Sequence, residues 1–444
     1  MSGIAGINKP DKCEQVSNML DKISHRGKYE KKIFSTENST LGIVLSKPQS
    51  DRNTYSEKEK FVKDEFYNGH FAIAKETTET LELTRDQIGI APLYYGFIND
   101  GKLSFASEVK ALMEVTCDIN ELHPGTKLIN NKIEEYYKTD IKASSADTPK
   151  QIANQLYQLL DNVIRNRVSG IEIGSWLSGG LDSSVLATLA QPYAKKLYSF
   201  SSGLKDAPDL KYAQIMADYL KSDHHEIVVT LDDMIRILPE VIYHLESFDQ
   251  LLVRSSITNY FAAKEASNYV EQILSGEGGD ELFGGYLYLK NLPLSRLNNE
   301  LLDITGRLHN TALQRVDRCA LAFGTEAHLI FLDPQIVRFA FQIPPELKIR
   351  SGIEKWILRK AMESSLPETI LNRTKAKFWE GAGVCELLSG YASGKISNAD
   401  FELERNLDNG WIINTKEEFY YYRIFKEHFG VSINLDWMGR TKKS

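Results

Sequence analysis

Two short glycine-rich runs each place acidic side chains among small residues. SGGLDSS occupies positions 178–184 and SGEGGDE occupies positions 275–281. Glycine allows the backbone to approach a polyanion closely, and the free N–H groups at a helix N-terminus attract phosphate. Carboxylate oxygens are ligands that Mg²⁺ prefers in proteins. Together the runs predict a site for a phosphate-bearing substrate and magnesium.

The first run follows an apolar stretch, IEIGSWL, and leads into SSVLATLA, which is typical of a helix. Its serine hydroxyls are hydrogen-bond donors for phosphate, and Asp182 is a candidate ligand for a magnesium ion that bridges phosphates. No lysine follows the glycines, so the run is not a Walker loop. The alternative is an ordinary strand-to-helix turn with a polar cap. The candidate phosphate-binding residues here are Ser178, Gly179, Gly180, Asp182, Ser183 and Ser184.

The second run carries two acids with separate predicted tasks. Asp280 would supply a second carboxylate for Mg²⁺ beside Asp182. Glu277 would act as a general base, because an amine that attacks an activated carboxyl group must lose protons. The alternative for Glu277 is a role in capping a helix.

The elements around both runs predict an α/β protein of two parts. Residues 1–140 are rich in strand patterns, with a turn at 98–101, and the polar stretch 138–150 is the best linker. Strands and helices then alternate, which indicates a doubly wound parallel sheet, and the chain is mostly helical from about 290 onward. Each glycine-rich run follows the carboxyl end of a strand, and doubly wound sheets bind ligands at those ends.

Composition limits the class of protein. The chain has 444 residues, a net charge of −7 and four cysteines without a CxxC pair. The net negative charge disfavours non-specific binding to the phosphate backbone of nucleic acid. No apolar run is long enough to span a membrane. Scattered cysteines and the absence of a signal peptide predict buried thiols and a cytoplasmic location.

Taken together, these strings resemble the asparagine synthetase family over nearly the whole chain. The strings that carry the resemblance are SWLSGGLDSSV, YSFSSGLKDAPDLKYAQIMADYLKSDHHE, ESFDQLLVRSSITNYFAAKEA, SGEGGDELFGGYLYL, VDRCALAFGTEAHLIFLDPQIVRFAFQIPPELKI, KWILRKAME and LPETILNRTKAKFWEGAG. The N-terminal strings GIAGI, SHRG, GHFAIAK, RDQIGIAPLYYG and FASEVKAL resemble that family's glutamine amidotransferase domain.

The resemblance implies a fold, a reaction and further site residues. It implies an α+β amidotransferase-like domain of the N-terminal-nucleophile type with antiparallel sheets over 1–140. An ATP-pyrophosphatase domain would follow over 150–444. It also implies that a carboxylate is activated as an acyl-AMP. Lys375 would contact pyrophosphate and the charge that develops as the adenylate forms. Asp209 stands at the position where the resemblance leads us to expect an aspartate. The further ATP ligands that it implies are Gly203, Ser275 and Gly276.

Departures from the family pattern bear on the nitrogen source. The amidotransferase domain normally begins with a cysteine whose free amine is its own base, whereas this chain has Ser2 after Met1. The stretch from His25 to Gly69 is short and holds no Asn-Gly-Glu string for binding glutamine. His328 also stands where the family usually carries arginine. We therefore expect free ammonia, rather than glutamine, to be the nitrogen donor.

The leading interpretation is an ATP- and Mg²⁺-dependent ligase that joins ammonia to an aspartate-like acid. An acid at position 277 favours this type, because the β-lactam synthetase branch carries tyrosine there. The alternatives are a synthetase that joins a specialised amine or closes a ring, a non-catalytic relative, and an RNA-modifying enzyme. We expect small-molecule substrates, no nucleic-acid or membrane partner, and a homodimer.

Overall fold

The computed structural model describes residues 2–47, 54–65, 69–78, 80–141, 145–374, 385–408, 410–430 and 434–441. The chain begins with strands and ends with helices, as its sequence pattern predicts. Between the two parts, the helix at 149–168 begins at Thr148, whose side chain accepts a hydrogen bond from the Gln151 N–H in a capping box.

Two antiparallel six-stranded sheets form the N-terminal part. Their orders are β10-β8-β9-β1-β3-β2 and β12-β11-β7-β6-β5-β4. Successive side chains alternate between the faces of a strand, so apolar residues on the inner faces pack into the core. The strands are β1 Ser2–Ile7, β2 Glu30–Ser35, β3 Thr40–Leu45, β4 Tyr55–Ser56, β5 Phe61–Glu65, β6 Phe71–Glu76, β7 Leu81–Arg85, β8 Tyr94–Phe97, β9 Leu103–Ala106, β10 Asn120–Glu121, β11 Thr126–Ile129 and β12 Lys132–Glu135.

A five-stranded parallel sheet forms the centre of the C-terminal part, in the order β15-β14-β13-β16-β17. The order reverses direction between β13 and β16, which makes the gap beyond their carboxyl ends a topological switch point. The predicted doubly wound parallel sheet is confirmed. Its strands are β13 Glu172–Trp176, β14 Lys196–Gly203, β15 Asp223–Val228, β16 Gln272–Leu274 and β17 Glu326–His328.

Helices cover this sheet and make up most of the chain after β16. The α-helices are α1 Cys13–Lys22, α2 Val109–Leu112, α3 Pro149–Val168, α4 Leu181–Ala190, α5 Pro208–Leu220, α6 Leu231–Leu245, α7 Gln250–Ala266, α8 Gly279–Phe283, α9 Leu294–Gly306, α10 Ala312–Leu321, α11 Pro334–Ala340, α12 Pro345–Lys348, α13 Trp356–Ala361, α14 Glu368–Leu371, α15 Cys385–Lys395, α16 Asn398–Glu404 and α17 Lys416–Phe429. The short 3₁₀ helices are Ser24–Arg26, Leu287–Asn291 and Ile330–Leu332.

One apolar cluster runs through both parts, from Ile4 in β1 to Ile370 in α14. The two parts therefore share buried surface, and the division at 140 and 150 into separate domains stays a prediction. None of the described helices combines the length and apolar character that crossing a membrane requires.

The prediction of buried thiols is wrong for two cysteines. Cys13 and Cys117 are exposed, whereas Cys319 is buried. Cys13 opens α1 on its solvent side, because the helix buries Val16, Met19 and Leu20 instead. Cys385 begins α15, but its side chain lies outside the described residues.

Candidate active site

The two glycine-rich runs meet at the switch point of the parallel sheet. Ser178 lies just beyond β13, and Ser275 follows β16 directly. These two strands are neighbours, with Ser175 in register with Leu274. Because parallel strands end at the same edge, the runs face each other across the gap.

The first run forms a tight turn into α4. The Ser178 hydroxyl accepts a hydrogen bond from the Gly180 N–H at 3.3 Å, and the Ser183 hydroxyl accepts one from the Ser178 N–H at 3.3 Å. Gly179 adopts a positive φ of 64°, and a side chain there would collide with Tyr212 in α5. Gly180 caps α4, so the first N–H groups of this helix lie beside the turn.

The glycines of the second run permit the two acids to approach. A Cβ at Gly279 would lie 2.5 Å from Oδ1 of Asp182, and one at Gly276 would lie 3.1 Å from the Asp182 Cβ. A side chain at Gly285 would likewise collide with the Asp280 carboxylate. Acids occur among glycines here because larger residues would push the two runs apart.

Asp182 and Asp280 converge on one cation, the ammonium group of Lys355. Lys355 Nζ lies 2.6 Å from Oδ1 of Asp280 and forms a second ion pair with Asp182. Only 3% of the Lys355 side chain is exposed. Two carboxylates from different helices, α4 and α8, thus share one buried positive charge, which offsets their mutual repulsion.

A pocket opens beside this pair. Its walls include the first run, Asp209 in α5 and the segment from Glu354 to Thr374. Arg373 donates to the carbonyl oxygen of Ser178 at 2.8 Å, pairs with Asp209 and lies over the Tyr212 ring. Each of the three cations that line the pocket, Lys355, Arg359 and Arg373, pairs with an acid of the same pocket. The lining therefore holds three cationic donors that a polyphosphate could recruit, but no excess of positive charge.

Glu277 lies at the turn before α8 and forms an ion pair with Arg315 of α10. The Glu277 side chain is 25% exposed, whereas that of Arg315 is 8% exposed. The arginine therefore fixes the carboxylate while leaving part of it open. The alternative task for Glu277, capping a helix, is not seen, because α8 has no side-chain cap.

A third acid, Glu281, is fully enclosed behind the pair. Burial, together with the nearby charges of Asp280 and Glu277, raises its pKa to about 7. Its carboxyl group contacts the Tyr286 hydroxyl. The second run thus contains three acids in different environments, one beside Lys355, one beside Arg315 and one enclosed.

Some of the predicted site residues line the pocket, others do not, and one lies outside the described residues. Ser178, Gly180, Asp182 and Ser183 line the pocket. The predicted residues that do not line it are Gly179, Ser184, Gly203, Ser275 and Gly276. Ser184 is fully buried in α4, and Gly203 ends β14 at the same sheet edge. Lys375 lies outside the described residues, although Arg373 and Thr374 before it line the pocket.

Sequence reasoning assigned no task to Lys355, Arg373 or Arg315. Their strings, KWILRKAME, LNRTKAKF and LQRVDRC, hold cations without glycines or paired acids to mark them. His328, flagged as a departure, is buried on β17, and its Nε2 lies 3.1 Å from the Gln272 Oε1.

The region around Ser2 is built differently. The Ser2 N–H and hydroxyl both donate to Oδ1 of Asp64, at 3.0 and 3.1 Å. Arg26 donates to the Ser2 carbonyl oxygen and pairs with Asp64 at 3.0 Å, Glu108 at 2.9 Å and Asp317 at 2.8 Å. Asp317 belongs to α10, so this fully buried cluster joins the two parts of the chain.

Comparison with known proteins agrees with this architecture. The chain matches the family described as Asparagine synthase over residues 155–309 and 295–430, and the Glutamine amidotransferase domain over 55–164. It is 32% identical over 395 residues to the probable glutamine-hydrolyzing asparagine synthetase of Dictyostelium discoideum, covering 80% of this chain and 71% of that protein. It is 33% identical over 388 residues to asparagine synthetase B of Escherichia coli, covering 81% of this chain and 69% of that protein.

The solved structures are more distant. The NMN synthetase of Francisella tularensis is 14% identical, with a TM-score of 0.30, covering 64% of this chain and 96% of that one. This likeness is too low to support an argument about the site. The family matches and the extent of identity suffice without it: the chain belongs to the asparagine synthetase family, and it is an ATP-dependent carbon–nitrogen ligase.

Proposed function

We propose that this ligase transfers AMP from ATP to an aspartate-like carboxylate and then joins free ammonia to the activated carboxyl group. The observation that carries the proposal is the convergence of Asp182 and Asp280 on Lys355, at the starts of the helices that follow β13 and β16 and beside the pocket. The substrate carboxylate oxygen would bond to the α-phosphorus while pyrophosphate leaves. Ammonia would then attack the acyl carbon as AMP leaves.

The donor set fits magnesium. Two carboxylates that approach one buried cation provide the oxygen ligands and the negative charge that Mg²⁺ requires. When bound, Mg²⁺ would neutralise charge on the phosphates of ATP. Because Lys355 now pairs with both acids, it must release at least one of them when the ion binds. The released ammonium group would then face the pocket, where it would pair with phosphate.

The pocket cations would bind and orient the phosphates. Lys355, Arg359 and Arg373 line the same pocket as the 178–184 turn, and Arg373 donates to the Ser178 carbonyl oxygen at 2.8 Å. These donors would hold ATP so that the α-phosphorus faces the incoming carboxylate. Lys375 is proposed to act beside them on the pyrophosphate, as the family resemblance implies.

Glu277 is proposed to take the proton from the attacking ammonia. Its ion pair with Arg315 supports this role, since the arginine orients the carboxylate without enclosing it. An amine nitrogen that has attacked the acyl carbon carries a positive charge, and transfer of a proton to Glu277 Oε would leave the neutral amide. Arg315 is a positioning residue in this scheme.

Free ammonia is favoured over glutamine by the bonding of Ser2. A nucleophilic hydroxyl needs a base that is free to take its proton. The Ser2 hydroxyl donates to Asp64, but that carboxylate also accepts the Ser2 N–H and pairs with Arg26, which makes it a poor base. Arg26 also contacts Ser2 and Asp64, so the end of β1 lies within a buried ion cluster. The curated relatives named above are described as glutamine-hydrolyzing, and we propose that this chain differs from them.

The test is an assay of pyrophosphate, AMP and amide product with a panel of acids, each with ammonia, glutamine or a larger amine. We expect AMP, pyrophosphate and amide in equal amounts with ammonia and an aspartate-like acid. Formation of ADP would refute the adenylation step. Product formation only with a larger amine would replace ammonia by a specialised acceptor, which is the remaining alternative.

A further inference from the structure

A cluster of three metal-binding side chains lies away from the proposed ATP pocket, where the two parts of the chain meet. Glu121 ends β10, His123 follows it before β11, and His309 lies in the turn between α9 and α10. One donor atom from each residue lies within 4.8 Å of the others. The two imidazole rings stand nearly perpendicular, at 88°, with centroids 5.9 Å apart.

We propose that Glu121, His123 and His309 bind a Zn²⁺ ion. Two imidazoles and one carboxylate are a ligand set that zinc accepts, and the fourth position would be taken by water. With bonds of about 2.0–2.1 Å, tetrahedral ligand atoms stand about 3.4 Å apart, so the cluster must contract slightly. The exposed His123 side chain can rotate toward the other two.

The hydrogen bonds around Glu121 leave one carboxylate oxygen better placed for the ion. Oε1 accepts from Arg85 Nη1 at 2.6 Å and lies 2.7 Å from His309 Nδ1. Oε2 faces only a long contact of 3.3 Å from the Asn310 amide, among the described residues. Zinc would therefore bind Oε2 and displace the weaker contact.

The positive charge of Arg85 weakens this site without closing it. Arg85 is held on the Oε1 side by the carbonyl oxygens of Ala91, Leu122 and Gly89, at 2.8–2.9 Å. It cannot follow the carboxylate toward the ion. We expect a dissociation constant of about 10⁻⁶ M, weaker than structural zinc sites, because one fixed cation remains nearby.

The imidazole of His123 offers a ring nitrogen at the exposed edge of the cluster, and a ring nitrogen lone pair is what coordinates metal. Within the described residues, the His123 ring has no hydrogen-bond partner to give up.

Zinc at this place would tie the β10–β11 connection to the start of α10. That helix carries Arg315 toward Glu277 and Asp317 toward Arg26. The ion would thus brace the helix that contacts both the proposed active site and the N-terminal part. This inference does not depend on the proposed choice of nitrogen donor.

The test uses Co²⁺ as a spectroscopic probe for the metal-stripped full-length protein. We expect one equivalent of Co²⁺ to give the intense visible bands of tetrahedral coordination and Zn²⁺ to bleach them. His123→Ala should weaken Co²⁺ binding at least tenfold, and His309→Asn should do the same. His428→Ala removes an exposed histidine elsewhere and should leave binding unchanged.

Three results would overturn the proposal. Binding with unchanged affinity in His123→Ala would show that this cluster is not the site. Binding that disappears in Asp182→Asn, but persists in His123→Ala, would place the ion at the proposed magnesium site instead. Weak bands of octahedral type alone, in the wild-type protein, would likewise exclude a tetrahedral zinc site at these residues.

Discussion

Ser2 and Ser178 each lie at one end of a buried strand, but their surroundings differ. Around Ser2, the hydroxyl, Asp64 and Arg26 satisfy one another inside the protein. Around Ser178, the turn borders a pocket with acids and cations from three separate segments. A polar cluster closed on itself stabilises a fold, whereas one that borders a cavity with converging like charges can bind a ligand. The proposed ligase assigns chemistry to the region around Ser178 and a structural role to the region around Ser2.

Removing either acid beside Lys355 should cause the largest effect on activity. Asp182→Asn and Asp280→Asn should each lower turnover by about 10³-fold or more, because magnesium and phosphate binding lose a carboxylate. Steady-state pyrophosphate release measures this, and circular dichroism checks the fold. Asp161→Asn, which alters an acid paired with Tyr193, is the matched control and should keep full activity. Normal turnover in Asp182→Asn or Asp280→Asn would remove that residue from the proposed site.

Changing Glu277 should separate the two chemical steps. Glu277→Gln should slow amide formation by about 10²–10⁴-fold but spare adenylation, because glutamine keeps the contact with Arg315 and cannot accept a proton. Quench-flow comparison of pyrophosphate and amide measures both steps. Glu300→Gln, an acid bonded to Tyr288, serves as the control. Equal loss in both steps would mean that Glu277 positions ATP or the metal instead.

Substitutions in the ion cluster around Ser2 should lower the stability of the fold rather than the rate of the reaction. Arg26→Met should lower the free energy of unfolding by about 3–5 kcal/mol, because Asp64, Glu108 and Asp317 would lose a shared buried cation. Denaturant titration measures the loss. Arg236→Met, at an exposed pair with Asp233, should change stability by less than about 0.5 kcal/mol. Similar small changes in both variants would show that the cluster is not structural.

The parts of the fold and of the candidate site that the sequence predicted are those determined by local signals. The strand-to-helix runs, the parallel sheet and the place of Asp182 and Asp280 follow from glycine spacing and alternating elements, which act over a few residues. Lys355, Arg315 and Arg26 could not be assigned, because each meets its acids through contacts between distant segments. The exposure of Cys13 was mispredicted for a related reason, since the face that α1 buries depends on packing.

Lys348 is buried like Arg26, but its ammonium group has no hydrogen-bond partner among the described residues. Burial lowers its pKa from 10.5 to about 7. Below pH 7 the ammonium group is charged in both folded and unfolded chains, so the full cost of burying it is present. As the pH rises from 7 to 10.5, the folded chain loses this proton first and the cost disappears.

Lys348→Met should therefore raise the free energy of unfolding by roughly 4–5 kcal/mol at pH 6 and have little effect above pH 10.5. Denaturant titrations of both proteins from pH 6 to pH 10.5 measure the difference. Lys360→Met, at an exposed pair with Glu363, is the control and should show no such trend. A gain that stays constant with pH would indicate an effect of packing rather than of charge.

Ser2→Ala should have the smallest effect, and this makes it a direct test of the comparison. Loss of the hydroxyl removes one of two hydrogen bonds to Asp64, while the Ser2 N–H and Arg26 still hold the carboxylate. A single buried bond contributes about 1 kcal/mol, so the fold should persist. Ammonia-dependent synthesis should stay within about twofold of the wild type, because the hydroxyl has no part in the proposed chemistry. The measurement is amide formation with ammonia and with glutamine in both proteins, together with glutamate release. If the wild type hydrolyses glutamine as fast as it forms amide and Ser2→Ala abolishes both, the end of β1 is an active nucleophile. The closed ion cluster would then have to open during turnover, and the contrast between the two regions would fail.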